Sequence, residues 1–205
     1  MTRPNHIKPE RSNQGPEPRT ATLWQMTATI YLGHGASGTA ATMAPFVTGL
    51  VGRGVEAHAI DLPKRRAEEA VPTLRAIVPR GPSIVIGGHS YGGRVASLAL
   101  AETPDDWAGL ILFSYPLHRP GGPAFEARTS HWPRITRPVL LLSGESDPFA
   151  RIDLLRRAVR QLPNAELVTY PRLGHTLKPV LDDALDRVAE FLRQLTPSGS
   201  HAASR

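Results

Sequence analysis

One serine in the chain has a sequence setting that could make it a nucleophile. Ser90 is the centre of the stretch Gly88-His89-Ser90-Tyr91-Gly92, which has the pattern G-x-S-x-G. The apolar run 83–86 before it predicts a buried strand, and alanine and leucine at helical spacing over 94–101 predict a helix after it. Such a turn holds a serine in a strained conformation with its hydroxyl above the sheet edge. The alternative is an ordinary glycine-rich turn between a strand and a helix.

A serine hydroxyl is a weak nucleophile, and it needs a histidine base that a carboxylate orients. The turns 144–148 and 172–176 each follow a predicted strand, and they contain Asp147 and His175. We interpret Asp147 as the acid, because a short carboxylate at the far end of its turn suits an inward-facing partner. Glu145 is the rival acid, and a plain turn role for Asp147 is the alternative. His175 is the predicted base, with a simple loop histidine as its alternative.

The other histidines between the ends of the chain fit the role of base less well. His34 and His89 are better explained as shaping their turns, and His34 is also a candidate for substrate contact. His58 falls within a predicted strand. His118 and His131 fall in the loop after the fourth predicted strand, where they could at most line a pocket.

A tetrahedral intermediate at Ser90 would need two backbone N–H donors for its oxyanion. The residue after the nucleophile, Tyr91, supplies the first in this interpretation. The loop 34–38 after the first strand supplies the second N–H donor. We choose Ala36 as this donor, and Ser37 is the alternative. The catalytic candidates are therefore Ser90, Asp147 and His175, with Tyr91 and Ala36 forming the oxyanion hole.

The same loop also matches a competing pattern. Gly33, Gly35 and Gly38 spell G-x-G-x-x-G, and Asp61 follows at about the distance of a ribose-binding acid, as in dinucleotide-binding folds. That interpretation leaves the serine, acid and histidine turns unexplained, so we place it second. No metal or organic cofactor is expected.

Strand and helix patterns alternate along the chain and predict one α/β domain over residues 23–195. Strands separated by helices form right-handed crossovers, which favour a single doubly wound, mainly parallel six-stranded sheet flanked by helices. Pro72 is expected to kink or restart its helix. The predicted strands are 27–32, 55–60, 83–88, 109–114, 138–143 and 165–170. The predicted helices are 42–52, 66–78, 94–101, 150–162 and the amphipathic stretch from Leu177 to Leu195.

Composition narrows the function classes. The 205 residues contain no cysteine, which excludes disulfides and a cysteine nucleophile. The formal charge of +6 is scattered over the body and the two ends, so a solvated surface is favoured over a nucleic-acid groove. No apolar run is long enough for a membrane span, and no signal peptide is evident, which predicts a cytoplasmic protein without a membrane partner. Residues 1–22 and 196–205 have the composition of disordered tails.

Taken together, these motifs resemble the α/β-hydrolase superfamily, and within it the small, lidless branch of dienelactone-hydrolase-like proteins. The resemblance rests on the His34-Gly35 loop, Pro45-Phe46, the stretch 88–94, the turn 144–147 and Gly174-His175. It implies a minimal hydrolase core without the superfamily's first two strands. It also implies a serine hydrolase acting on a small or medium ester or thioester. A dienelactone hydrolase proper uses a cysteine nucleophile, which this chain lacks.

The superfamily often inserts a cap domain where this chain has residues 115–137. That segment is short and rich in proline and glycine, so it is expected to form a flap rather than a helical lid. Tyr115 and Trp132, with Phe125 and His131, are expected to contact substrate there. The resembling group also includes scaffold subunits, so a non-catalytic interaction protein on the same fold is the alternative function.

Overall fold

The structure is a computed structural model that describes residues 28–120 and 126–195. The disordered tails predicted over 1–22 and 196–205 lie outside the described residues and stay predictions. So does the role predicted for Phe125.

The described residues contain one sheet whose strands alternate with helices. The strands are β1 (Thr29–Gly33), β2 (Glu56–Ile60), β3 (Gly81–His89), β4 (Trp107–Phe113), β5 (Val139–Gly144) and β6 (Ala165–Tyr170). They lie in the order β2-β1-β3-β4-β5-β6, and every pairing is parallel. The predicted doubly wound six-stranded sheet is confirmed, and it is wholly rather than mainly parallel.

Six α-helices and three 3-10 turns connect the strands within the described residues. The helices are α1 (Ala44–Val51), α2 (Ala67–Ile77), α3 (Tyr91–Glu102), α4 (Glu126–Thr129), α5 (Ile152–Val159) and α6 (Leu181–Leu195). The 3-10 turns are Ala40–Met43, Trp132–Arg134 and Lys178–Val180. The expected restart at Pro72 is wrong, because α2 runs through this proline. Pro72 is exposed, so its ring meets solvent where it interrupts the backbone hydrogen bonding.

Two apolar clusters cover the two faces of the sheet, because successive strand residues point to opposite sides. In β4, Leu110 and Leu112 join the cluster that α2, α3 and α5 cover. Ile111 and Phe113 join the cluster that α1 and α6 cover. The central strands are therefore buried on both faces, as expected for a parallel sheet, whereas the edge strands β2 and β6 are partly exposed.

The parallel strands bring several loops to the same edge of the sheet. From β1 the chain first adds β2 on one side and then returns to add β3 and the later strands on the other side. In doubly wound sheets, ligands bind at such a switch point, which here lies between β1 and β3. The loop after β1 and the turn after β3 flank it, and both carry predicted site residues. Between β4 and β5, the described residues form only α4 and the turn Trp132–Arg134, in line with a core that lacks a lid. No helix in 28–120 or 126–195 is both long and apolar enough to cross a bilayer.

Candidate active site

Ser90 lies in a sharp turn between β3 and α3. Its φ of 51° is in the left-handed region, which is unusual for a residue with a side chain. Gly92 allows this turn, because a Cβ there would overlap the backbone of Gly33 in β1. A Cβ on Gly88 would meet the Gly33 carbonyl in the same way. The close approach of β1, β3 and α3 at this point explains why the pattern has glycine on both sides of the serine.

The imidazole of His175 spans the gap between Ser90 and Asp147. His175 Nε2 lies 3.0 Å from Ser90 Oγ, and Nδ1 lies 2.8 Å from Asp147 Oδ2. A carboxylate only accepts, so Nδ1 carries the proton and Nε2 is free to accept from the serine hydroxyl. The histidine side chain is 24% exposed and the aspartate side chain is fully buried. The structure thus brings all three predicted residues into one hydrogen-bond chain.

The turn after β5 fixes the Asp147 carboxylate. Asp147 Oδ1 accepts from the backbone N–H of Phe149 at 2.8 Å, which is a local turn that aspartate favours. Both carboxylate oxygens therefore have donors, which is the condition for burying this charge. Glu145, the rival acid, faces elsewhere: its Oε1 accepts from Arg156 and from Thr169, each at 2.9 Å. The structure places Asp147, and not Glu145, against His175.

The turns that carry Asp147 and His175 pack directly against each other. A Cβ on Gly144 would overlap the carbonyl oxygens of Leu173 and Gly174. Ser146 N–H donates to the Leu173 carbonyl at 2.8 Å across the same contact. Gly144, the last residue of β5, therefore sets the distance between the two loops.

Two aromatic rings flank the His175 imidazole. The Phe149 ring centroid lies 4.6 Å away, and that of His89 lies 5.1 Å away. His89 Nε2 also donates to the His175 carbonyl oxygen at 3.2 Å. The sequence indicated neither contact, since His89 was assigned only to its turn and Phe149 had no role.

The loop after β1 lies against the beginning of α3. Gly92 N–H donates to the His34 carbonyl at 2.9 Å, which joins this loop to the first turn of the helix. Tyr91 is the first residue of α3, where a backbone N–H has no acceptor within its own helix. A hydrogen bond from Gly38 N–H to the Gly35 carbonyl closes a turn in this loop, and Ala36 and Ser37 are exposed at its tip. The choice between them as an oxyanion donor stays a prediction.

The sequence matches a known family over most of its length. The family model described as the alpha/beta hydrolase domain matches residues 26–195. The chain belongs to this family. The predicted superfamily is thereby confirmed, while the resemblance to the dienelactone-hydrolase-like branch stays a prediction.

Solved structures with the same fold include a lipase and a thioesterase domain. A monoacylglycerol lipase of Paleococcus ferrophilus is 17% identical, covers 83% of this chain and 97% of its own, and superposes with a TM-score of 0.71. Est1E from Butyrivibrio proteoclasticus is 18% identical over 83% of this chain and 89% of its own, with a TM-score of 0.68. A thioesterase domain from the curacin biosynthetic pathway is 15% identical over 81% of this chain and 90% of its own, with a TM-score of 0.65. At these identities the likeness is one of fold. A search of curated protein sequences finds no match.

Three side chains expected to bind substrate in this alpha/beta hydrolase are buried instead. His34 is 2% exposed, and its Nδ1 donates to the Gly35 carbonyl while its Nε2 accepts from Leu62 N–H. Tyr115 and Trp132 are 1% and 0% exposed and pack edge to face, with ring centroids 5.0 Å apart. The side chains of all three residues therefore lie in the protein interior, and the substrate contacts expected of them stay predictions.

His131, also expected near substrate, is 3% exposed. Its Nε2 lies 2.8 Å from Ser97 Oγ, and burial lowers the pKa of its imidazole to about 4, with the charges of Arg94 and Arg134 adding to the effect. His131 is thus one of three buried histidines of the described residues, with His34 and His118, and it is not part of the candidate active site.

The loop with the G-x-G-x-x-G pattern does not have the structure of a dinucleotide-binding site. The loop from Gly33 to Gly38 leads into a 3-10 turn, and α1 begins only at Ala44, so no helix N-terminus follows the glycines directly. The carboxylate of Asp61 accepts from Ala40 N–H at 2.6 Å and so stabilises the start of that turn. Both features that favoured a nucleotide thus have local structural roles.

Elsewhere in the described residues, neither a metal site nor the cavity beside Arg80 offers a second serine, histidine and aspartate in one hydrogen-bond chain. No group of three or more histidine, cysteine, aspartate or glutamate side chains in 28–120 and 126–195 is arranged to hold a metal ion. A cavity of about 590 Å³ lies at the opposite edge of the sheet, beside Arg80, Trp107 and Arg137. Arg80 pairs with Asp106 at 3.3 Å, and Arg137 pairs with Asp105 at 2.8 Å. None of Ser90, Asp147 and His175 lines this cavity.

Proposed function

We propose that this alpha/beta hydrolase is a serine hydrolase that cleaves a small or medium ester or thioester through an acyl-enzyme. The observation that carries the proposal is the continuous hydrogen-bond chain Ser90–His175–Asp147, with Ser90 in a left-handed turn at the switch point of the sheet. Membership of the family and its fold support the same chemistry without identifying a substrate.

In the proposed mechanism, Ser90 Oγ attacks the carbonyl carbon while His175 Nε2 takes its proton. The carbonyl oxygen becomes an oxyanion, which accepts hydrogen bonds from Tyr91 N–H and from an N–H of the loop after β1, Ala36 in our choice. Asp147 stabilises the imidazolium that forms and keeps Nδ1 protonated. The intermediate collapses when His175 returns the proton to the leaving alcohol or thiol.

Water then completes the cycle in a second, equivalent step. His175 takes a proton from the water as it attacks the acyl carbon, and Ser90 leaves as an alkoxide that regains this proton. The products are a carboxylic acid and the regenerated enzyme. All of these proton transfers use side chains of this chain, so the proposed reaction needs no metal or organic cofactor.

The proposal predicts covalent labelling of one serine. A fluorophosphonate probe should label the wild type and should fail to label Ser90→Ala. Ser97→Ala is the matched control, because Ser97 also lies beside a histidine, and its labelling should equal that of the wild type. A folded wild type that is not labelled would move the protein to the alternative of a non-catalytic interaction protein, and labelling of Ser90→Ala would mean that another residue is the reactive nucleophile.

The described site also bears on acyl length. The large aromatic rings of the flap, Tyr115 and Trp132, are buried in the core, so they offer no surface to cover a long chain. A p-nitrophenyl ester series from acetate to laurate should therefore show kcat/KM that is flat or falls beyond short acyl groups. A buried chain would instead gain about 0.8 kcal/mol, roughly fourfold, per methylene group. A steady rise of that size would contradict the short-acyl proposal.

A further inference from the structure

The residue immediately before Ser90 reaches across the site to the loop that carries the base. His89 is the last residue of β3, and His175 follows β6, on the far side of β4 and β5 in the sheet. His89 Nε2 lies 3.2 Å from the His175 carbonyl oxygen. This hydrogen bond joins the loop of the candidate base to the end of β3, directly before the candidate nucleophile.

The direction of this hydrogen bond fixes the state of the His89 ring. A carbonyl oxygen only accepts, so Nε2 of His89 carries the proton and its Nδ1 is the unprotonated nitrogen in the neutral ring. Nδ1 faces the loop after β1, where a Cβ on Gly35 would lie 3.1 Å from it. Burial lowers the pKa of His89, and the nearby His175 charge adds to this, while the hydrogen bond to His175 and the Asp147 charge act in the opposite direction. The ring therefore serves as a neutral donor.

Other contacts hold the neighbours of His175 but not its own backbone. The preceding residues are held by hydrogen bonds from Ser146 N–H to the Leu173 carbonyl and from Leu173 N–H to the Tyr170 carbonyl. Among the hydrogen bonds of the described residues, the bond from His89 is the one that reaches the His175 main chain. Without it, the only hydrogen bonds of His175 among the described residues would be those of its two ring nitrogens.

We infer that His89 is a positioning residue for the base: its Nε2–H···O bond fixes the His175 backbone where the imidazole can reach both Ser90 Oγ and Asp147 Oδ2. The inference rests on the proposed function. A shift of this backbone would lengthen the 3.0 Å and 2.8 Å hydrogen bonds at the two ring nitrogens. A misplacement of about 1 Å can cost on the order of 100-fold in rate, even when substrate binding is unchanged.

Two amide substitutions at His89, with side chains of different length, test the hydrogen-bond donor separately from the other features of the imidazole. In His89→Gln, the amide nitrogen lies about as far along the side chain as the imidazole Nε2, so it can still donate to the His175 carbonyl. In His89→Asn, the amide has the same chemistry but is too short to reach it. We expect kcat for a short p-nitrophenyl ester to stay within about threefold of wild type in the Gln variant and to fall about 10- to 100-fold in the Asn variant. KM should change little in both.

The remaining measurements separate positioning from folding and from the function itself. The urea midpoints of the two variants check that each is folded, and His58→Gln, an exposed histidine on β2, is the control substitution. Equal kcat values for the Gln and Asn variants, or a loss confined to KM, would overturn the inference. An Asn variant that fails to fold while the Gln variant folds and turns over normally would assign this hydrogen bond to folding, and it would overturn the inference. Failure of the proposed function is distinct, because the wild type itself would then not react with the fluorophosphonate.

Discussion

Two serine–histidine hydrogen bonds of similar length lie close together on the chain, one just before α3 and one within it. Ser90 Oγ lies 3.0 Å from His175 Nε2, and Ser97 Oγ lies 2.8 Å from His131 Nε2. The two pairs differ in the acceptors next to them. The Asp147 carboxylate accepts from the far nitrogen of His175, whereas the backbone carbonyl of Arg94 lies 2.8 Å from the Ser97 hydroxyl.

These acceptors give the two serine–histidine hydrogen bonds opposite directions of donation. Because Asp147 takes the Nδ1 proton, His175 Nε2 accepts from the Ser90 hydroxyl. Because the Arg94 carbonyl takes the hydroxyl proton of Ser97, the His131 Nε2–H must donate to the Ser97 oxygen if every group is to be satisfied. Only the first histidine can therefore remove a proton from its serine.

The surroundings of the two pairs differ in the same sense. The His175 side chain is 24% exposed, whereas Ser97 is fully buried and His131 nearly so. No carboxylate of the described residues bonds to the His131 ring. A serine and a histidine at hydrogen-bond distance are therefore insufficient for nucleophilic catalysis. The acceptor on the second ring nitrogen and access for a substrate decide whether the pair can react.

The largest effect should come from reversing the polarity of the Ser90 pair. In Asp147→Asn an amide can donate to His175 Nδ1, which favours the tautomer with the proton on Nε2, as in the His131 pair. We expect kcat to fall by about 10⁴. Combining this change with His175→Ala should cost little more than His175→Ala alone, because the groups act as a unit.

The control for this change is Glu145→Gln, since Glu145 contacts Arg156 and Thr169 instead of the base. It should leave kcat nearly unchanged. Equal losses in Glu145→Gln and Asp147→Asn would show that the acid is misassigned, and losses that multiply in the double variant would argue against a triad.

The second prediction concerns the backbone that distinguishes the two serines. Ser97 is within a regular helix, whereas Ser90 needs the close contact of Gly92 with Gly33. In Gly92→Ala the new methyl group overlaps backbone atoms that cannot rotate away, so we expect the free energy of unfolding to fall by about 3 kcal/mol or more and labelling of Ser90 to be lost. Gly174→Ala is the control, because a Cβ there meets no atom within 4 Å. Equal urea midpoints for the two variants would contradict this account of the turn.

The sequence was informative where a function depends on local pattern. The glycines around Ser90 and the turns after β5 and β6 are readable because each strand, turn and cap is encoded within a few residues. The alternation of strands with helices, joined by right-handed crossovers, is why one mainly parallel sheet could be predicted, whereas the order of its strands was not.

The sequence was misleading or silent where tertiary packing decides. No pattern in the sequence indicates that the rings of Tyr115 and Trp132 pack against each other inside the core. The bond from His89 to His175 joins residues that are 86 positions apart, and no local pattern encodes it. Helix α2 continues through Pro72 because this ring is exposed and the rest of the helix packs on α3.

The third prediction follows from the lowered pKa of His131. Its imidazole has a pKa of about 4 in the folded protein against an ordinary value of 6.5, mainly because burial disfavours the charged form. As the pH falls below 6.5, the unfolded chain binds a proton that the folded protein does not, so stability is lost down to about pH 4. Between pH 7.5 and 4.5, this group should account for a loss of about 2–3 kcal/mol.

His131→Gln removes this titration while keeping a donor near Ser97. Urea unfolding at pH 7.5 and pH 4.5 should show the wild type losing about 2–3 kcal/mol more than the variant over this range. The other histidines and the carboxylates are the same in both proteins, so their contributions cancel in the difference. An equal loss in the two proteins would show that His131 is not the buried neutral group described here.

The smallest effect should come from removing the Ser97 hydroxyl. In Ser97→Ala the His131 Nε2–H loses its acceptor and stays buried, which costs about 1–3 kcal/mol, while alanine recovers about 0.5 kcal/mol as the better helix former. We expect a net destabilisation of about 1 kcal/mol and unchanged kcat for a short ester. The urea midpoints of Ser97→Ala, His131→Leu and the double variant measure the coupling, because replacing both partners leaves no unsatisfied donor. A double variant that loses the full sum of the two single losses would mean that the Ser97–His131 bond contributes nothing. A loss of activity in Ser97→Ala would mean that the two serine–histidine pairs do not act independently.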